Sequence, residues 1–188
     1  IINSNVDKNI LYIPLIPKGK YKFFEESIKA FENQNDIKDI SVIVCDSSDD
    51  DTAQLLKDRK EDKFELSIIN GGLPAKARNN GMKHVNTDYV LFMDADMFIL
   101  DTNLLNDVLK EIRLNRADLI TTKIRTTNGK FNYVFRVFDI IQKFIKPITP
   151  FCLGGFMLFK SKKFIELGGF DEEAKVAEDY LLSKKVKP

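Results

Sequence analysis

The chain has 188 residues, enough for a single domain with a substantial core. Hydrophobic residues make up 44% and charged residues 30%; Lys+Arg 29 against Asp+Glu 28 is a balanced count, which excludes a bulk nucleic-acid binder. No apolar run reaches the roughly 18 residues a membrane span needs, so neither a transmembrane helix nor a signal peptide is expected.

The elements can be taken in chain order. Ile10 to Ile16 (ILYIPLI) is a short apolar run closed by Pro17-Lys18-Gly19, and reads as a strand. Tyr21 to Asn33 spaces Phe23, Phe24, Ile28 and Phe31 as an amphipathic helix. Ile40 to Cys45 (ISVIVC) is a continuous β-branched run, the mark of a strand covered on both faces. The acidic stretch Asp46 to Thr52 reads as a turn and helix start, with the helix running from Thr52 to Lys60. Phe64 to Ile69 is a third strand ended by Asn70-Gly71-Gly72, and Leu73 to Val85 a helix. Tyr89 to Met93 is the fourth strand, Thr102 to Asn115 a helix, and Asp118 to Lys123 the fifth strand. This alternation predicts an α/β fold with a mostly parallel sheet between two helical layers.

Beyond Arg125 the pattern changes. Phe131 to Ile148 is dense in Phe, Ile and Val, with Arg136, Lys143 and Lys146 among them. Its apolar residues spread all round, so burial in the core or under a partner is favoured over an interfacial placement at a membrane. Phe156 to Lys160 after Gly154-Gly155 is a strand, Lys162 to Leu167 a short helix ended by Gly168-Gly169, and Glu178 to Val186 a last helix. Cys45 and Cys152 lie far apart in apolar runs, which predicts buried free thiols in a reducing compartment rather than a disulfide or a zinc site.

Ligands of open parallel sheets bind outside the carboxyl ends of the strands. Asp46 follows the second strand, Asp94-Ala95-Asp96 follows the fourth, and Gly71-Gly72 follows the third. Two carboxylates at a strand end suit a hard divalent cation shared with phosphate oxygens, although Asp-x-Asp alone is common by chance. Lys76 and Arg78 at the start of the next helix are natural phosphate neighbours, or else solvated helix charges. A phosphatase of the haloacid-dehalogenase type is disfavoured, because its Asp-x-Asp normally lies on the first strand with Thr or Val where this chain has Phe98. Neither G-x-G-x-x-G nor a P-loop is present, and Pro17-Lys18-Gly19-Lys20 is a poor match to the loop of a sugar nucleotidyltransferase.

Taken in order, ISVIVCDSSDDDT, GGLPAKARNNGMKHVNTDYVLFMDADM, FCLGGFMLFKSKKFIELGGFDE and AEDYLLSKKV resemble the GT-A glycosyltransferases of family two; ILYIPLIP is a weaker match, lacking the usual Asn. The resemblance spans residues 10 to 188 and implies a GT-A (Rossmann-like) three-layer α/β/α sandwich with a mainly parallel central sheet. It also implies one catalytic domain over 1–188, expected to continue past the C-terminus. The implied function is transfer of a sugar from a nucleotide-diphosphate donor, with UDP-sugar favoured, to a glycan, lipid-linked or protein acceptor, with inversion. A non-catalytic nucleotide-sugar-binding domain of a larger assembly is the alternative.

By the same resemblance Asp46 would meet the nucleobase, with helix capping as its plain structural role. Pro14, Gly72, Lys76, Arg78, Asp94, Ala95, Gly154 and Gly155 would line the donor. Asp96, with Asp94, would hold Mn2+ or Mg2+ on the diphosphate, Asp94 also facing the ribose. Inversion needs a base to take the proton of the acceptor hydroxyl. Asp179 is the choice and Glu178 the second; being adjacent on a helix, they point different ways. His84, the only histidine, is not expected to bind metal. The expected compartment is the cytoplasm, with the inner membrane face as a peripheral variant.

Overall fold

The computed structural model describes residues 10–16, 21–35, 40–59, 64–145, 147–149, 151–174 and 176–186. A central sheet is built from β1 (Ile10–Ile16), β2 (Ile40–Asp46), β3 (Glu65–Asn70), β4 (Tyr89–Asp94), β5 (Leu119–Thr121) and β6 (Phe156–Lys160). The helices are α1 (Tyr21–Glu32), α2 (Thr52–Lys57), α3 (Pro74–Met82), α4 (Leu104–Leu114), α5 (Asn132–Ile145), α6 (Ser161–Glu166) and α7 (Glu178–Ser183). Every element expected from the sequence is present, with ends shifted by a few residues. The expected loop at Pro17–Lys20 and residue Lys146 lie outside the described residues.

Strand order is β3-β2-β1-β4-β6-β5. β1 pairs in parallel with β2 and β4, and β2 with β3, while β6 runs antiparallel to both β4 and β5. The sheet is therefore mainly parallel, as expected. The parallel alternation, however, does not simply continue to β5. β6, from late in the chain, is inserted between β4 and β5.

Alternation along the buried strands sorts the core onto two faces. Val42, Val44, Leu91, Met93, Phe156 and Leu158 pack with Phe24, Ile28 and Phe31 of α1, Leu56 of α2 and Leu105, Val108, Leu109 and Ile112 of α4. Ile43, Cys45, Val90, Phe92, Met157 and Phe159 pack on the other side with Ala75, Ala77 and Met82 of α3, Phe164 of α6 and Leu182 of α7. This is the three-layer sandwich. β2 from Val42 to Cys45 and β4 from Tyr89 to Met93 are unbroken apolar runs because both of their faces are covered. Cys45 and Cys152 are buried free thiols.

α5 departs from expectation. None of its residues is buried, and it joins neither core cluster. The favoured burial of this segment is thus not met within the chain. No helix among the described residues is long and apolar enough to cross a membrane.

Candidate active site

The parallel register lines up the strand ends. Ile16 stands opposite Asp46, Asp46 opposite Asn70, and Leu15 opposite Asp94. β1 is where the strand order reverses, with β2 and β3 to one side and β4 to the other. The crevice at the carboxyl ends of β1 and β4 is therefore the topological switch point, where open α/β sheets take their ligands. Asp94 closes β4 at that point. Pro14 lies within β1, opposite Met93, and the ladder to β2 skips Ile13 and Pro14, as a residue without an N–H requires; the contacts expected of its ring lie outside what is described.

The loops after β2 and β3 are latched together. Gly71 N–H donates to the Asp46 carbonyl at 2.7 Å, and Gly72 N–H donates to Ser47 Oγ at 2.8 Å. A Cβ on Gly71 would lie 2.0 Å from Ser47 Oγ and 2.8 Å from the Asp46 backbone, so only glycine fits. Gly72 has φ +122°, the left-handed region. Asp46 Oδ1 accepts from the N–H and hydroxyl of Ser48, at 3.0 and 2.6 Å. Asp46 thus shapes its own turn rather than capping α2; Asp50 Oδ1 takes the Thr52 N–H at 3.0 Å instead. Asp46 Oδ2 carries no hydrogen bond among the described residues.

In the Asp-x-Asp turn, Met97 N–H donates to the Asp94 carbonyl at 3.1 Å. Ala95 is buried beneath the turn and Asp96 is exposed. Ala95 therefore supports the turn from inside and offers a donor no side chain.

Arg78 stands differently from the expected phosphate neighbour. It is only 4% exposed. Its Nη2 donates to Asp94 Oδ1 at 2.6 Å and its Nη1 to Glu178 Oε1 at 2.8 Å, while the guanidinium carbon lies 5.4 Å from the Phe170 ring centroid. Position 78 falls on the inward face of α3 beside Ala75, Ala77 and Met82. Both forks of the guanidinium are thus committed to carboxylates of this chain, a bond type with fixed planar geometry. Lys76 is exposed on the first turn of α3, where Leu73 is the N-cap and Pro74 opens the helix.

Glu178 and Asp179 do point different ways. Glu178, the expected second candidate for the base, is tied to Arg78 through its Oε1. Asp179 Oδ1 accepts the Tyr180 N–H at 2.8 Å, and its Oδ2 would lie 2.8 Å from a Cβ placed on Gly154. Ala177, just before them, has φ 61°, an uncommon left-handed conformation for a residue with a side chain. A Cβ on Gly155 would meet Ile124 Cδ1 at 2.9 Å and Met97 Cε at 3.0 Å. The two glycines thus make room for Asp179 and for the turn after Asp96.

Burial raises the Asp94 carboxyl above its ordinary value; the Arg78 charge and hydrogen bond oppose this, and the charges of Asp96 and Asp179 add to it. Asp94, Asp96 and Asp179 therefore share one electrostatic neighbourhood. Among the described residues no three His, Cys, Asp or Glu side chains form a ready-made ligand set. The donors that are present fit a partial site. Asp94 and Asp96 carry hard oxygen donors at one turn, and diphosphate oxygens would complete an oxygen-only shell suited to Mg2+ or Mn2+. His84 is exposed beyond the far end of α3.

Three participants escaped the sequence reading. Asn79 Nδ2 donates to the Phe170 carbonyl at 2.9 Å and its Oδ1 accepts the Phe170 N–H at 3.0 Å, pinning the loop that carries Phe170 to α3. Phe170 supports Arg78, and Ser47 holds Gly72. The Arg-Asn pair in ARNNG was the available signal, since two polar side chains inside a helix with buried neighbours need partners.

Comparison with known proteins bears on this site. The family described as Glycosyl transferase family 2 matches residues 15–168. The chain is 28% identical over 155 residues to the poly(ribitol-phosphate) beta-N-acetylglucosaminyltransferase TarS of Staphylococcus aureus, covering 77% of this chain and 26% of that protein. It is 24% identical over 194 residues to the rhamnosyltransferase WbbL of Escherichia coli, covering 87% of this chain and 71% of that protein. Among solved structures, TarS 1–349 superposes with a TM-score of 0.70 at 25% identity, covering 93% of this chain and 54% of that one. The mannosyltransferase PcManGT of Pyrobaculum calidifontis, solved with GDP-Man and Mn2+, gives 0.78 at 19% identity, covering 96% and 54%, a likeness of fold. The chain spans about a quarter of the length of its TarS relative. With the family matched over most of its length and the GT-A sandwich shared with these structures, this chain belongs to glycosyl transferase family 2.

Proposed function

We propose that this chain transfers a sugar from a UDP-sugar to an acceptor hydroxyl, with inversion and with a divalent cation on the diphosphate. The observation that carries the reading is Arg78 bridging Asp94, at the end of β4 in the Asp-x-Asp turn, to Glu178, the chain neighbour of Asp179. The uridine donor is supported by the TarS relative, whose structure has been solved with UDP-GlcNAc.

Each residue then has a task. Asp46, at the end of β2, presents its second carboxylate oxygen to the base. Asp96, exposed, and Asp94, partly exposed, would hold the cation, which when bound neutralises charge on the departing diphosphate. Asp179 takes the proton of the acceptor hydroxyl as the anomeric carbon is attacked. Lys76 remains available to phosphate. Arg78 positions Asp94 and Glu178 and touches no substrate.

Calorimetry of UDP, GDP and CDP, each with and without Mn2+, tests the donor half on wild type and Asp96→Ala. UDP binding that Mn2+ strengthens, and that Asp96→Ala weakens, is the expected result. The absence of metal-enhanced binding by any of the three overturns the reading. Asp179→Asn should keep donor binding and abolish transfer; a variant that still turns over removes Asp179 as the base.

A further inference from the structure

α5 keeps most of its apolar side chains out of the core. Helical spacing puts Asn132, Phe135, Asp139 and Gln142 on one half-buried face, where the three polar residues bond to the rest of the chain beside the Phe135 ring. Thr126 N–H donates to Asn132 Oδ1 at 2.9 Å, Arg125 pairs with Asp139, and Gln142 Nε2 donates to the Phe151 carbonyl at 3.1 Å. The opposite face carries Tyr133, Val137, Ile140 and Phe144, which are 69%, 51%, 58% and 71% exposed. Phe131 and Ile148 prolong the apolar surface at the two ends. A continuous exposed apolar stripe of this length marks an interaction surface.

The charges beside the stripe choose its occupant. Arg136 and Lys143 flank it on the helix, and Lys130 precedes it; all three are exposed and none is in an ion pair among the described residues. Asp139, the one acid of α5, is turned inward to Arg125. A second copy seated by two-fold symmetry would bring Arg136 and Lys143 towards their own equivalents, with no acid on the helix to answer them. An anionic lipid surface answers all of them, and α5, at 14 residues, has the length to lie in such a surface but not to cross it.

We propose that α5 docks this chain on an anionic bilayer. Tyr133, Val137, Ile140 and Phe144 enter the boundary of the acyl region, and Arg136 and Lys143 meet headgroup phosphates. The inference stands apart from the transfer chemistry. It is coupled to the site by geometry, since Gln142 holds the carbonyl of Phe151 and the chain then runs through Cys152 to Gly154, against Asp179.

Co-sedimentation with phosphatidylcholine vesicles, with and without phosphatidylglycerol, tests it on the 188-residue chain. The chain should bind the anionic vesicles, bind neutral ones much more weakly, and release as salt is raised. Ile140→Ser/Phe144→Ser should weaken binding by at least about tenfold, and Arg136→Gln/Lys143→Gln by roughly thirtyfold, with circular dichroism and UDP affinity unchanged in both. Absence of binding to anionic vesicles overturns the proposal. So does binding that neither double variant reduces. A concentration-dependent dimer that Ile140→Ser/Phe144→Ser dissociates would also overturn it, giving the stripe to a second copy.

Discussion

Gly154 and Asp179 are in mutual contact: a Cβ on the glycine would lie 2.8 Å from Asp179 Oδ2 and 3.2 Å from Asp179 Cβ. Rotation can move the carboxylate away, while Asp179 Cβ has to give by only a few tenths of an ångström. Gly154→Ala should therefore leave the unfolding midpoint close to wild type and donor affinity within about threefold, while turnover falls on the order of 10²-fold, the effect of displacing the proposed base by about 1 Å. Parallel denaturation, calorimetry and rate measurements check this. Loss of stability without loss of rate would detach Gly154 from the chemistry.

Arg78 holds two carboxylates from a buried position. Removing one partner of such a set leaves uncompensated charge, which costs about 3–5 kcal/mol when all partners are buried. The Asp94 side chain is 40% exposed, so solvent screens part of this. Arg78→Met should thus cost about 2–3 kcal/mol in urea unfolding. Arg78→Lys should recover little of it, because an ammonium cannot form the planar fork. Both variants should also weaken the proposed metal-dependent UDP binding through a loosened Asp94.

The two thiols give a pH dependence with a definite sign. Burial pushes Cys45 and Cys152 up to about 12. An unfolded thiol ionises near 8.5. Between about pH 9 and 12 the unfolded chain releases protons that the native chain keeps, so stability is present at lower pH and falls as pH rises, by about 1.4 kcal/mol per pH unit for each thiol. Cys45→Ala and Cys152→Ala should each make that slope shallower. At pH 8 the native thiols should resist alkylation, and both should react on unfolding.

Phe92 sits at the centre of an aromatic nest, its ring centroid 4.8 Å from Phe164, 5.1 Å from Phe170 and 6.4 Å from Phe159. Phe92→Ala should cost about 3–5 kcal/mol by thermal or urea unfolding. Because Phe170 also lies against Arg78, the loss should extend to donor binding.

The parts of the site that the sequence made legible are those written in local pattern. β4 is an unbroken apolar run that stops at Asp94, and its end is where the carboxylates stand. Glu178 and Asp179 diverge because neighbours on a helix must. What stayed hidden depends on distant partners. Arg78 looks like any helix cation until Asp94 and Glu178 are brought to it from 16 and 100 residues away. α5 looks apolar all round until its inward face is known, because Asn132, Asp139 and Gln142 identify that face only through the groups they bind. The placement of β6 likewise follows from its pairing with β4 and β5, which no local periodicity records.

That placement of β6 also orders the birth of the fold. During synthesis β4 emerges early with one flank already beside β1, but its other flank must wait until Phe156–Lys160 has left the ribosome. Through the making of α4, β5 and α5 the nascent chain carries an apolar strand with an open hydrogen-bonding edge, the condition that invites pairing with a neighbouring chain. β5 cannot close it, since β5 attaches only to β6. A truncation before Phe156 should therefore leave β4 with an open edge and favour aggregation over a smaller folded domain.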